Sequence, residues 1–376
     1  MLKLFQRFAD FIRETDKILL FLCFFTTLYG CAAVFTSTYY MNNFRPVIIQ
    51  TGCMFLGIIC ALIISTFDFE RIFRRWYFVA LLGLIPVLLT FFIGFAPEGT
   101  DDKAWLDLGF TTFQPSELLK ICFIITFSLH LSRVKENINK LKYLLPVCAH
   151  GVAPVILIHF QGDDGTALVF AIIVLFMMWS AGVSWKYFAA AFSAAIVAAP
   201  FIYFFVMNDD HRARIMLLFD IDADIKGVGY QQWLGRRALA GGGFTGQGYL
   251  QGNLTQSGII PEGHNDFIFT QIGEELGFLG CLTVIILLTA VCLRCVKVAK
   301  ISTKDTGKYM CIGVFAMLFA QAVINIGMCT SILPVIGITL PFFSAGGTSL
   351  LCLYLGIGLV LNVYKHRNER SVYLRG

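Results

Sequence analysis

Residues 261–293 read PEGHNDFIFTQIGEELGFLGCLTVIILLTAVCL. The head of this stretch carries Glu262, His264, Asp266, Glu274 and Glu275, and from Phe278 onward no charge interrupts the run. A bilayer-crossing helix needs roughly 20 apolar residues, so the stretch reads as a membrane span over 267–293 with a polar cluster at its head. Charge beside lipid is costly, which makes such a cluster a functional candidate by default. Asp266 is the residue to explain. At the start of a helix the macrodipole favours its negative charge. It can accept a proton, hold a cation or merely cap the helix; capping by Asp is worth about 1 kcal/mol. Glu262 and His264 stand within a few residues, placed to tune it or to orient a substrate hydroxyl.

The same ruler finds nine more spans, near 17–36, 46–66, 76–95, 114–131, 144–160, 165–182, 186–207, 309–330 and 341–364. With 57% apolar and 15% aromatic residues, a soluble globular domain is excluded. The expected fold is therefore all-α and polytopic, one domain over 1–376 with about ten transmembrane helices and a long loop, 208–266, between the seventh and eighth. Met1 to Asp16 is a mixed-charge leader running straight into a full-length span, so the first span is expected to be retained rather than cleaved. An even number of spans puts both termini on one side. Of the 29 Lys and Arg, 21 fall in the loops sharing the side of the termini and 7 in the opposite set. The positive-inside bias makes the termini cytoplasmic and the long loop extracytoplasmic. The net charge of +5 is thus an orientation signal and not a nucleic-acid patch.

Other polar groups mark the outer boundary. Gln114-Pro115-Ser116-Glu117 opens the fourth span with Lys120 one turn on; Glu117 and Lys120, at i and i+3, can pair as structural glue or serve a site. Trp105 reads as an interfacial belt residue or a substrate contact. Asp163 and Asp164 suggest a cation site or a solvated turn. The glycine-rich Gly241–Gly252 reads as flexible backbone packed near a ligand, and Asn325 with Pro341–Ser349 as helix packing. The twelve cysteines fall mostly one by one inside apolar runs, where they act as small hydrophobes. Cys292 and Cys295 have C-x-x-C spacing without a second ligand pair.

In order along the chain, KAWLDLGFTTFQPSELLK, GTALVF, GYQ, PEGHNDFIFTQIGEELGFLG, NIGM and LPFFSAGGTSLL resemble the SEDS family, the shape, elongation, division and sporulation glycosyltransferases of bacteria, with RodA, FtsW and SpoVE branches. The resemblance covers essentially the whole chain. It implies a peptidoglycan glycosyltransferase that polymerises lipid II on the outer face of the cytoplasmic membrane. It also implies a class B penicillin-binding protein as the transpeptidase partner, and a growing glycan on undecaprenyl pyrophosphate as co-substrate. By resemblance Asp266 is the essential aspartate, and Trp105, Glu117 and Lys120 match functionally important positions. The compact termini lean toward the elongation branch. The family's usual Gln-Pro-Asp-Leu-Gly-Thr reads Gln161-Gly162-Asp163-Asp164-Gly165-Thr166 here, a common lysine is Gln256, and Ile-Pro-Leu-Pro is Ile338-Thr339-Leu340-Pro341.

Glycosidic bond formation requires removing an acceptor hydroxyl proton and stabilising a departing pyrophosphate. Asp266 is the expected general base of a one-step inverting displacement. Arg212, Arg214, Arg236 and Arg237, in the same long loop, are the candidate cations. A divalent ion, Mg or Mn, held by Asp266 or by Asp163 and Asp164 would do the same work. The competing classes are a lipid II flippase and a noncatalytic scaffold for a transpeptidase. A transporter's ionisable residues belong near the bilayer midplane on discontinuous helices.

Overall fold

The computed structural model describes residues 14–96, 102–107, 109, 112–220, 227 and 229–368. Residues 1–13 of the predicted leader, and Asp101, Asp222, Asp224 and Lys226 of the outer loops, lie outside the described residues. In chain order the helices are α1 (Lys17–Tyr39), α2 (Arg45–Ile64), a short α3 (Phe69–Arg74), α4 (Trp76–Ile93), α5 (Pro115–Val134), α6 (Leu141–His159), α7 (Asp164–Ser180) and α8 (Trp185–Phe201). Then follow α9 (Asp209–Met216), α10 (Tyr230–Gly242), α11 (Asn253–Gln256), α12 (Ile268–Ile301), α13 (Asp305–Cys329) and α14 (Gly347–Lys365). A helix stands on each predicted span. Eight of them are long and apolar enough to cross a membrane. The other two are α5, which carries Glu117 and Lys120, and α7, which has 17 residues. In lipid a helix is the solution because it satisfies its backbone groups internally.

The centre of the bundle is built by α5, α13 and α14, on which α2, α7 and α12 pack. The rim is apolar but exposed. Helix α8 has no buried residue, and α4 turns Leu82, Ile85 and Phe92 outward. Such faces suit lipid, which solvates them as a protein core would. A two-stranded hairpin, β1 (Leu106–Asp107) with β2 (Thr112–Phe113), covers the loop end of α4 and α5.

Helix α12 differs from the single predicted span. It breaks at Gly277 (φ 66°, ψ −161°), leaving Ile268–Leu276 as a separate segment before a 24-residue run from Phe278 to Ile301. That second run alone is about 36 Å long, enough to cross the bilayer. The break frees backbone groups, and the glycine-rich stretch supplies their partners. Gln247 N donates to Glu274 O at 3.0 Å and Gly248 N to Glu275 O at 2.9 Å, while Phe278 N donates to Gly243 O at 2.9 Å. The glycines are therefore needed for close backbone approach: a Cβ on Gly242 or Gly246 would collide with the carbonyls of Gly273 and Glu275. The stretch expected to be flexible backbone is thus packed against the broken helix. Glu274 completes the joint by accepting Leu254 N (2.7 Å), Thr255 N (2.8 Å) and Thr255 Oγ1 (2.6 Å) from α11.

Gly246→Val, at φ 84° against the Glu275 backbone, should lower stability by roughly 2 kcal/mol or more. Gly52→Ala, in an open helical position, should leave it unchanged or slightly higher. Thermal unfolding in detergent compares the two, and equal melting would remove the close-approach argument.

Candidate active site

Asp266 sits on a tight loop between Glu262 and α12. Glu262 takes φ 49°, and its carbonyl accepts Asn265 N at 3.0 Å and Phe267 N at 3.1 Å; its Oε2 accepts Asn265 Nδ2 at 2.7 Å. The loop is then fastened from outside at three consecutive carbonyls. Ala345 N donates to His264 O at 2.9 Å, Ser344 Oγ to Asn265 O at 2.7 Å, and Asn325 Nδ2 to Asp266 O at 2.8 Å. Asn325 Nδ2 also donates to Ile338 O at 2.7 Å, tying in the segment before α14. Asn325 and Pro341–Ser349, expected to be packing residues, thus act as a clamp on the loop. The signal was present, since an amide and a hydroxyl in apolar surroundings must find partners.

The helix cap expected as one role for Asp266 is absent. Phe267 occupies the N-cap position of α12 and no side chain caps it. The Asp266 carboxylate instead faces Gly337, at 3.6 Å from where a Cβ there would stand, and accepts no hydrogen bond among the described residues. Burial, followed by the charges of Glu262 and Asp163, pushes its pKa up to about 7. Burial also lowers His264, opposed by Glu262, so the imidazole stays neutral near pH 7.

A second polar cluster stands behind this carboxylate. Lys120 Nζ pairs with Glu117 Oε1 at 2.8 Å, and both side chains are almost fully buried. Asp163 lies close enough to feel both charges; it caps α7 through Thr166 N at 2.9 Å and accepts Gln114 Nε2 at 2.9 Å. Burial raises the Asp163 pKa. Asp164 turns the other way, to His159 Nδ1 and, at 3.8 Å, His211 Nε2. The two aspartates therefore diverge, and both oxygens of Asp163 are already engaged. Among the described residues no group of three or more His, Cys, Asp and Glu side chains is arranged to hold a metal. The pair does not fit a shared divalent ion.

The candidate arginines separate. Arg212 grips Tyr203 O and Phe204 O, both at 2.9 Å, at the end of α8. Arg214 Nη1 donates to Val335 O at 2.7 Å, holding the strip that faces Asp266. Arg237 is exposed, its guanidinium 4.6 Å from the Trp233 ring centroid. Arg236 is half-buried; Gln232, Gly235, Arg236 and Leu239 stand at i, i+3, i+4 and i+7 on one stripe of α10. That face packs on Phe267, Thr270 and Gly273 at the start of α12. Trp105 is half-buried in the covering loop, bridged through its backbone to Phe95.

Two departures from the family pattern gain a local reason. Gly162 takes φ 90° beside Asp102, a conformation closed to proline. Gln256 donates to Glu275 Oε1 at 2.9 Å and Thr36 O at 3.1 Å, so it serves the helix joint and lies apart from the Asp266 loop.

The fold and the site define a polytopic all-α membrane protein with a loop-borne carboxylate clamped at one end of its bundle. The model of the FtsW, RodA and SpoVE cell cycle proteins matches residues 14–369, and the chain belongs to that family. It is 31% identical over 328 residues to the peptidoglycan glycosyltransferase MrdB of Escherichia coli K12, covering 86% of each chain. It is 30% identical over 371 residues to the probable peptidoglycan glycosyltransferase FtsW of Geobacter metallireducens, covering 94% of this chain and 95% of that one. Among solved structures, a chain from work on structural coordination of polymerization and crosslinking by a peptidoglycan synthase complex superposes with TM-score 0.80 at 26% identity, over 94% of this chain and 98% of that one. RodA of Thermus thermophilus shares the fold, with TM-score 0.69 at 23% identity over 94% and 97%.

Asn325→Ala removes the amide donor from Ile338 O and leaves Asp266 O only the weaker Cys329 thiol at 3.4 Å, and should destabilise the protein by about 1–3 kcal/mol, Ser344→Ala by about 1 kcal/mol. Unfolding curves in detergent measure both; an Asn325→Ala curve superimposable on the wild type would show that the clamp does not hold the loop.

Proposed function

We propose that this chain is a peptidoglycan glycosyltransferase that polymerises lipid II, with Asp266 as general base on the outer face of the bacterial cytoplasmic membrane. The observation that supports this reading best is a carboxylate with pKa about 7, free of hydrogen bonds among the described residues, on a loop held at three successive carbonyls. A base poised near the working pH combines a large ionised fraction with a strong pull on a hydroxyl proton. Asp266 accepts that proton as the acceptor oxygen bonds to the anomeric carbon, and the bond from that carbon to the undecaprenyl pyrophosphate oxygen breaks on the opposite face. Configuration inverts in one step.

Arg236, on the helix face against the Asp266 loop, is the favoured cation for the departing pyrophosphate. Glu117, Lys120 and Trp105 shape the substrate side of the site, and neutral His264 orients a hydroxyl. Both termini are cytoplasmic, following the distribution of Lys and Arg. A class B penicillin-binding protein supplies the crosslinking activity, in keeping with the peptidoglycan synthase complex that this chain resembles. The break in α12 is no argument for a transporter. A complete membrane-length helix follows it, which sets Glu274 and Glu275 toward the bilayer edge and away from the midplane.

Asp266→Asn should abolish glycan polymerisation from purified lipid II in a protein that still inserts and melts normally; substantial polymer from it would end the assignment. In the wild type, the rate should fall as pH drops through about 7, because protonated Asp266 cannot accept the hydroxyl proton. Glu262→Gln removes a charge that raises the Asp266 pKa, so the acid limb should move to lower pH. A limb that stays in place would detach Glu262 from the base.

Arg236→Ala should slow turnover of the pyrophosphate substrate by roughly 10- to 100-fold, the loss of one charge-assisted contact. Arg237→Ala should stay within about twofold. Steady-state kinetics on lipid II separate the two, and the reverse order would exchange their roles.

A further inference from the structure

At the end of the bundle opposite Asp266, α3 and the start of α4 border an open groove of about 870 Å³. Its charged lining is Asp68, Glu70, Arg71, Arg74 and Arg75, with Phe78 among the apolar walls. Both acids are already paired. Arg71 Nε bonds Asp68 Oδ2 at 2.9 Å, and Lys304 Nζ bonds Glu70 Oε1 at 2.5 Å across from the α12–α13 connection. Arg74 and Arg75 make no ion pair among the described residues, and both are exposed. Two positive charges therefore remain uncompensated in the groove.

The surface leading away from the groove is apolar. Phe78, Leu82, Ile85 and Leu89, spaced at i, i+4, i+7 and i+11, form one face of α4 and are 58%, 59%, 49% and 44% exposed. Trp76 and Tyr77, also exposed, stand at the junction, where aromatic rings anchor a helix at the membrane surface. A ligand matching both parts has an anionic head and a hydrocarbon tail. A free inorganic anion would use the arginines and leave the apolar face unused.

We propose that Arg74 and Arg75 bind the phosphate headgroup of an anionic phospholipid whose acyl chains lie along the Phe78–Leu89 face of α4. The site is separate from the polymerisation site and draws on the opposite leaflet. Basic clusters at membrane surfaces select anionic lipid in this way, each nearby Arg contributing a comparable increment. With two unpaired arginines the preference for an anionic over a zwitterionic headgroup is roughly 30-fold.

The test is native mass spectrometry of the full chain released from mixed micelles with equal phosphatidylglycerol and phosphatidylcholine. Phosphatidylglycerol should be retained preferentially, and the double variant Arg74→Gln/Arg75→Gln should lose most of that preference. Arg71→Gln, which removes an arginine already paired with Asp68, should keep most of it. Thermal unfolding confirms that each variant is folded. Equal retention by the double variant, or an equal loss in Arg71→Gln, overturns the site in favour of diffuse surface charge. Displacement of the lipid by millimolar inorganic phosphate overturns the lipid as its occupant.

Discussion

Three neighbouring carbonyls, of His264, Asn265 and Asp266, each take a hydrogen bond from a separate donor: the amide of Ala345, the hydroxyl of Ser344 and the side-chain amide of Asn325. An irregular loop at the membrane edge has few solvent partners for its backbone, so every such group must be matched by the protein. The donors come from α13 and from the segment before α14, the most buried part of the bundle. The Asp266 loop is thus positioned by the core itself. A short loop acquires the precision of a helix because its backbone, more than its side chains, is held.

The same rule governs the break at Gly277. A helix interrupted beside lipid would expose unpaired groups, and the glycine-rich segment returns to pair with them. Glu274 and Glu275, part of the same polar cluster in the sequence, serve this joint by anchoring α11 and Gln256. Charge in the chain therefore falls into two kinds. Some carboxylates are saturated by neighbouring donors and are structural, whereas Asp266 is left without any among the described residues and beside two other acids. Burial and those two charges are what bring its proton affinity into the range where it can act near neutral pH.

Much of the fold was legible because hydrophobicity is a local property. A run of apolar residues of bilayer length is a helix wherever it sits, and each of the ten runs read from composition carries one. The polar clusters at 114–120, 161–166 and 261–275 stood out for the same reason, as groups that lipid cannot solvate. Their partners were not legible. Nothing in the neighbourhood of Asn325 or Ser344 says that they reach the Asp266 loop, and nothing near Arg236 and Arg237 says that one turns inward and the other stacks on Trp233.

By itself, then, the sequence determined an all-α membrane bundle, its family, and the group of ionisable residues among which chemistry must be sought. Only the tertiary structure decided that Asp266 is not a helix cap, that Asp163 and Asp164 diverge, and that the glycines serve a helix joint. The physical reason is that burial depends on residue type and spacing, which are written locally, while hydrogen-bond pairing and pKa depend on which distant elements meet. That meeting is set by the packing of α5, α12, α13 and α14 together, and no single stretch of the chain contains it.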